Sequence, residues 1–156
     1  MIEITIPGFR TFQFRHLVMD VNGTIAKDGQ VIEGVAGLLS DLRSRIDIHL
    51  VTADTHGLQD NIDRQLNLPS VRLSAQKQIE AKLDYIETLG ADMVVAIGNG
   101  ANDSAMLGRA ALGVVIVGPE GAAMETMRKA DVAVPHIHAA LELLLFPKRL
   151  IATLRR

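Results

Sequence analysis

No cysteine occurs anywhere in the 156 residues. Disulfides, thiolate metal sites and thiol nucleophiles are therefore excluded, and the composition fits a reducing compartment. Aromatic residues are scarce, at 3%, so the core must be aliphatic and base stacking on aromatic platforms is not expected. Neither sign of charge dominates. The net charge of −2 supplies no general attraction to nucleic acid or an anionic membrane. Long apolar runs are missing too. Leu112 to Val117 and Leu143 to Phe146 are far shorter than a membrane span. The start of the chain, with Glu3 in a strand-like stretch, carries no secretory pattern. The expectation is a cytoplasmic protein with neither nucleic-acid nor membrane partners.

What is present is a high hydrophobic fraction, 48%, in short, regularly spaced runs. The length suits one domain over 1–156. His16 to Asp20, Ile48 to Thr52, Met93 to Gly98, Leu112 to Val117 and Asp131 to Val134 are β-branched and nearly continuous, as strands covered on both faces are. Val71 to Leu73 is a weaker sixth. Helical spacing appears between them: Val35 to Arg45, Gly57 to Leu66, Ala75 to Leu89, Asp103 to Ala110, Glu120 to Arg128 and Ile137 to Phe146. In Ala75 to Leu89 the expected apolar face is Ile79, Leu83, Ile86 and Leu89. Alternation of strand and helix predicts an α/β fold, a doubly wound parallel sheet with helices on both faces in three layers.

Two pieces fall outside the alternation. Met1 to Phe14 holds a Pro7-Gly8 turn between two strand-like arms and reads as an extra N-terminal β-hairpin added at a sheet edge. Ile25 to Ile32 contains Lys27-Asp28-Gly29, a hairpin signal just after the first central strand. There is no internal repeat or linker. The basic end, Lys148 to Arg156, reads as a surface helix or tail.

In a doubly wound sheet, ligands bind at the carboxyl ends of the strands. The first central strand ends in Asp20-Val21-Asn22-Gly23-Thr24, the second in Thr52-Ala53-Asp54, and the fourth in Gly98-Asn99-Gly100-Ala101-Asn102-Asp103. Lys77 and Lys82 lie on the helix leading into the fourth. Each residue type suits phosphoryl transfer. A carboxylate can attack phosphorus and split one hard step into two. Glycines let backbone N–H groups approach phosphate oxygens, and lysine offsets charge in the transition state. Mg²⁺, bound by one or two carboxylates and carbonyls, would bridge nucleophile and phosphate.

Asp20-Val-Asn-Gly-Thr24 resembles the first motif of the haloacid-dehalogenase superfamily. Thr52 resembles the second motif, a lysine the third, and Gly98-Asn-Gly-Ala-Asn-Asp103 the fourth. Gly98 to Leu107 is similar in particular to the hinge motif of P-type ATPases, and the chain resembles the soluble P-type-ATPase-like group. The resemblance implies Asp20 as nucleophile and metal ligand, with the backbone carbonyl of Asn22 as a second ligand. It implies phosphate binding by Gly23, Thr24, Thr52, Ala53 and a lysine, and puts Asn99 and Asp103 around the Mg²⁺. Lys82 is favoured over Lys77, because Leu83, Ile86 and Leu89 then form the usual helix leading to Gly90.

Two positions depart from the pattern. Asn22 stands where phosphatases of the superfamily carry a general acid and base, and an amide cannot donate and recover a proton at neutral pH. Asn99 stands where a metal-binding Asp is usual, which removes one negative charge. The leading expectation is a slow Mg²⁺-dependent phosphatase acting through phospho-Asp20 on a small or macromolecular phosphate ester. The alternative is a regulatory module that binds phosphate or a partner protein and has kept the fold. A response-regulator receiver ranks last, because the first strand does not end in an acidic pair.

The intervals from Asp20 to Thr52 and from Thr52 to Lys82 are filled by the basic alternation, so no cap domain fits. An open site then needs a large substrate or a neighbouring subunit, which predicts a homo-oligomer. Asp54 and His56 read as a helix cap and a surface histidine, His136 and His138 as loop residues rather than a metal pair, and the six methionines as core filler.

Overall fold

The computed structural model describes residues 1–53 and 57–156. Asp54 and His56 lie outside the described residues. The chain begins with a hairpin of β1 (Ile2–Ile6) and β2 (Arg10–Phe14), followed by β3 (His16–Asp20) and a small hairpin of β4 (Ala26–Lys27) and β5 (Gln30–Val31). Next come α1 (Val35–Arg43), β6 (Asp47–Thr52), α2 (Gln59–Leu66), β7 (Val71–Arg72), α3 (Gln78–Leu89) and β8 (Val94–Gly98). The last part holds α4 (Ser104–Arg109), β9 (Leu112–Ile116), α5 (Met124–Lys129), β10 (Val132–Val134), α6 (Ile137–Leu145) and α7 (Pro147–Leu154).

Six strands form one sheet in the order β10-β9-β8-β3-β6-β7, with every pairing parallel. From β3 the chain winds outward to β6 and β7, then returns to β8 on the other side of β3 and continues outward to β10. The winding reverses between β3 and β8, where a doubly wound sheet opens a crevice at its carboxyl edge. This is the architecture expected from the alternation. Among the described residues, no added element stands between β3 and β6 beyond the β4–β5 hairpin and α1.

Alternate side chains of each strand go to opposite faces, as the pleat requires. Leu17, Met19, Val95, Ile97, Leu112 and Val114 join the larger core with Val35 and Leu39 of α1 and Leu141 and Leu144 of α6. Val18, Val94, Ala96 and Val115 join the smaller one with Ile86 of α3 and Met106 and Leu107 of α4. Helices therefore cover both faces, which is why the strands read as continuous apolar runs.

Four expectations need correction. The β1–β2 hairpin is a separate two-stranded sheet and not an edge addition. Its alternation buries Ile2, Ile4, Ile6, Phe12 and Phe14 in the larger core, and burying that apolar face outweighs lengthening the main sheet. On α3, Ile86 is buried and Leu83 and Leu89 pack against the smaller core as expected, but Ile79 does not join them. Ile79 is exposed, while Lys82 and Ile86, one helical turn apart, are buried. The fifth helix starts at Met124, not at Glu120, because Gly118 and Gly121 pair across a turn with Gly121 at φ 77°. Of the methionines, Met19 and Met106 are buried, but Met1 and Met124 are exposed.

The described part has no helix long and apolar enough to cross a membrane. His136 Nδ1 accepts the Ala139 N–H and caps α6. His138 Nε2 lies within hydrogen-bonding distance of the Glu33 carbonyl. The basic end forms α7, whose Leu150 is buried.

Candidate active site

Asp20 is the last residue of the central strand. Its neighbours in register are Val51 on β6 and, one residue earlier, Met19 against Ile97 on β8. Asp20 thus stands at the switch in winding, with Thr52 following on one side and Gly98-Asn99 on the other. The carboxylate is 8% exposed and Thr52 only 2%. Asn22 and Gly23 pass over the strand end, and the Gly23 N–H donates to the Ala26 carbonyl at 2.9 Å. Gly23 needs its glycine, since its φ is 77°, a region costly for side chains.

Lys82 is the centre of the charge arrangement. It is 1% exposed, and its Nζ donates to Asp20 Oδ1 and to Asp103 Oδ1, both at 2.6 Å. Lys77, at the N-cap of α3, is exposed, so the geometry brings Lys82 to Asp20 and leaves Lys77 outside. A lysine so deeply buried must be paired. Two carboxylates and one ammonium leave the cluster with a net negative charge. Burial works against the Lys82 charge, but Asp20 and Asp103 outweigh it and shift its pKa upward. Burial, followed by repulsion from Asp103, pushes Asp20 up to about 7 against the pull of Lys82.

Asp103 is engaged by the lysine and by its own loop. One oxygen holds Lys82, and the other accepts the N–H groups of Asn99 and Gly100 at 2.9 and 3.0 Å. With both oxygens engaged and no exposure, its carboxylate positions the lysine and shapes the loop. Gly98 is required by this contact, because a Cβ there would run into the Asp103 carboxyl group. The loop is further tied by Asn102 to Gln78 at 2.6 Å and by the buried Thr126 hydroxyl, which donates to the Gly100 carbonyl at 2.7 Å.

Thr24 is also buried. Its hydroxyl lies 3.5 Å from Asp20 Oδ2 and 3.3 Å from Asn99 Oδ1, so Asp20 and Asn99 flank one side chain. Ala53, half-buried, follows Thr52 at the same edge. Asp20, Gly23, Thr24, Thr52, Lys82, Asn99 and Asp103 thus converge.

Mg²⁺ prefers oxygen donors and keeps several waters, often with only one or two carboxylates. The Asp20 carboxylate, the Asn22 carbonyl and the Asn99 amide oxygen are a donor set of that kind. It fits Mg²⁺ with one formal negative charge, Asp103 being spent on Lys82 and the loop. Among the described residues, no three of His, Asp or Glu gather into a preformed metal cluster.

One residue near the site escaped the sequence reading. A Cβ placed on Gly23 would lie 2.5 Å from Glu120 Oε2 and 2.9 Å from Asn99 Nδ2. Glu120 belongs to the turn after β9, another strand ending on this edge. Its signal was the Gly118-Pro119-Glu120-Gly121 turn, which sits where a ligand-binding loop belongs in such a sheet.

No model of a known protein family matches the chain. It is 43% identical over 79 residues to an uncharacterised protein of Methanocaldococcus jannaschii, covering 48% of this chain and 85% of that one. It is 29% identical over 140 residues to a probable copper-importing P-type ATPase of Enterococcus hirae, which takes in 88% of this chain but 19% of the ATPase. Among solved structures, 3-deoxy-D-manno-octulosonate 8-phosphate phosphatase of Moraxella catarrhalis superposes with a TM-score of 0.66 at 20% identity, over 91% of this chain and 94% of that one. The catalytic domain of the CPx-ATPase CopB-B gives 0.60 at 23% identity, over 73% and 46%. A Legionella pneumophila protein described as a subfamily III A hydrolase of the haloacid-dehalogenase superfamily gives 0.72 at 17% identity, over 90% and 86%. The chain thus has the fold of haloacid-dehalogenase superfamily hydrolases, and its sequence is similar to part of a P-type ATPase.

Proposed function

We propose that this protein is a Mg²⁺-dependent phosphohydrolase in which Asp20 is phosphorylated and slowly released. The observation that carries this reading is the sealed Asp20–Lys82–Asp103 arrangement at the switch point. Burying three charges is expensive, and a neutral core would serve stability better, so the cost points to chemistry.

In the first half-reaction a carboxylate oxygen of Asp20 attacks the phosphorus of a phosphate monoester. The bond to the leaving oxygen breaks, and that oxygen takes its proton from water, because Asn22 has none to give. Lys82 and Thr52 hold the phosphoryl oxygens, with the N–H groups around Gly23, Thr24 and Ala53. Asp20, Asn99 and the Asn22 carbonyl would hold the cation, which would offset the charge of nucleophile and phosphate. In the second half-reaction water attacks phosphorus, the aspartyl-phosphate bond breaks and Asp20 returns as a carboxylate, while the water's proton passes to solvent and balances the one taken in the first half-reaction. Without a base at position 22 this step is the slower one. The open site suits a large substrate or cover by a second copy of the chain.

Superposition with 3-deoxy-D-manno-octulosonate 8-phosphate phosphatase, whose structure holds magnesium and phosphate ions, supports phosphate-ester chemistry as the class. Asn22 and Asn99 favour a second reading, a module that binds phosphate without turnover. Hydrolysis of an aryl phosphate with and without Mg²⁺, wild type beside Asp20→Asn, separates the two. Mg²⁺-dependent release lost in the variant supports the phosphohydrolase. No release, or equal release, supports the binding module.

A further inference from the structure

We propose that Glu120 supplies the carboxylate that the cation site lacks at Asn99. The inference rests on the phosphohydrolase reading for where the cation sits, but its test does not depend on turnover.

Glu120 follows β9 and precedes α5, on the carboxyl edge of the sheet. The turn is held against the site loop by the Ala123 N–H, which donates to the Asn99 carbonyl at 2.9 Å, and by the buried Thr126 on the Gly100 carbonyl. Glu120 Oε2 and Asn99 Nδ2 lie 2.5 and 2.9 Å from a single point, the missing Cβ of Gly23. A Cβ at Gly23 would meet the ends of the Glu120 and Asn99 side chains. The Glu120 carboxylate has no hydrogen-bond or ion-pair partner among the described residues.

The charge at positions 99 and 120 is coupled. An Asp at 99 would face the Glu120 carboxylate at close range, and two like charges there repel. Asn99 removes that repulsion; its Nδ2 and Oδ1 lie 2.9 and 3.2 Å from the Gly23 Cβ point, and Oδ1 also lies 3.3 Å from the Thr24 hydroxyl. The negative charge has in effect moved from position 99 to position 120. Asp20 and Glu120 then give the pair of carboxylates that a Mg²⁺ site commonly uses. Glu120 binds directly or through one of the waters that Mg²⁺ keeps.

Mn²⁺, read by the paramagnetic resonance signal of the free ion, tests this directly. Four proteins are titrated: wild type, Asp20→Asn, Glu120→Gln, and Glu120→Gln combined with Asn99→Asp. Glu120→Gln is expected to weaken Mn²⁺ binding roughly tenfold or more, as loss of one ligand charge does, and Asn99→Asp to restore most of it. Glu120 is exposed, so folding is not at stake. Equal affinity in wild type and Glu120→Gln would overturn the inference, as would absence of rescue. If Asp20-dependent hydrolysis persists with equal affinities, only the role of Glu120 falls. If hydrolysis is absent but Glu120→Gln still weakens Mn²⁺ binding, the cation site stands and the phosphohydrolase reading falls.

Discussion

The two ends of β3 handle polar groups in opposite ways. At the amino end, His16 Nδ1 lies 3.1 Å from His49 Nε2, and His49 Nδ1 lies 2.9 Å from the Tyr85 hydroxyl. All three are only half-buried. Burial, followed by the neighbouring His16, lowers the His49 pKa. At the carboxyl end, the ionisable groups of Asp20, Lys82 and Asp103 are sealed. A half-buried hydrogen-bond network costs little and contributes modestly. A sealed ionic cluster costs a great deal unless every partner is in place. The same strand thus carries a structural network at one end and the proposed functional one at the other.

Removing Lys82 should break the comparison most visibly. Lys82→Met leaves two carboxylates facing each other without a cation, and should lower stability by about 3–5 kcal/mol in urea unfolding. A change below about 1 kcal/mol would mean the cluster is not the strained element described here.

Asn22→Asp tests the missing acid and base. The substitution should raise steady-state turnover by on the order of 10²-fold, the low end for a general acid–base group. Turnover at the wild-type rate would mean that another group already serves.

Asp20→Asn should raise the melting temperature of the metal-free protein at pH 8. In the fold the Asp20 pKa is about 7, up from 3.8. Its contribution to stability is therefore complete below about pH 4 and is lost as pH rises through 7. The variant does not titrate, so its advantage should shrink from pH 8 to pH 5. A constant gap across that range would contradict the upward shift.

The smallest effect belongs to the amino end. Tyr85→Phe removes one hydrogen bond and should cost about 0.5–1.5 kcal/mol, with Mn²⁺ binding and any hydrolysis unchanged. A loss of either function would erase the contrast between the two ends.

Much of the site was legible because strand ends are legible. Asp20, Thr52 and the Gly98 to Asp103 loop each close an apolar run, and a parallel sheet gathers such ends on one edge. The choice between Lys82 and Lys77 was favoured but not decided by spacing, because the inward face of α3 is set by packing. Ile79 looked like core and is exposed, while a lysine takes the inside. Asp103 was legible as a site residue, but its contacts with Lys82 and with the Asn99 and Gly100 N–H groups were not, since those partners come from α3 and its own loop. Glu120 was missed because its nearness to Gly23 and Asn99 exists only once β9 is seated beside β8.

The central claim is that Asp20 carries a phosphoryl group that leaves slowly. Rapid mixing with an aryl phosphate and Mg²⁺, acid quench and peptide mass analysis would test it most directly. The account requires a burst approaching one phosphoryl group per chain, located on the peptide containing Asp20 and decaying faster in Asn22→Asp. Hydrolysis with no phosphate on that peptide, or phosphate on another residue, would contradict it.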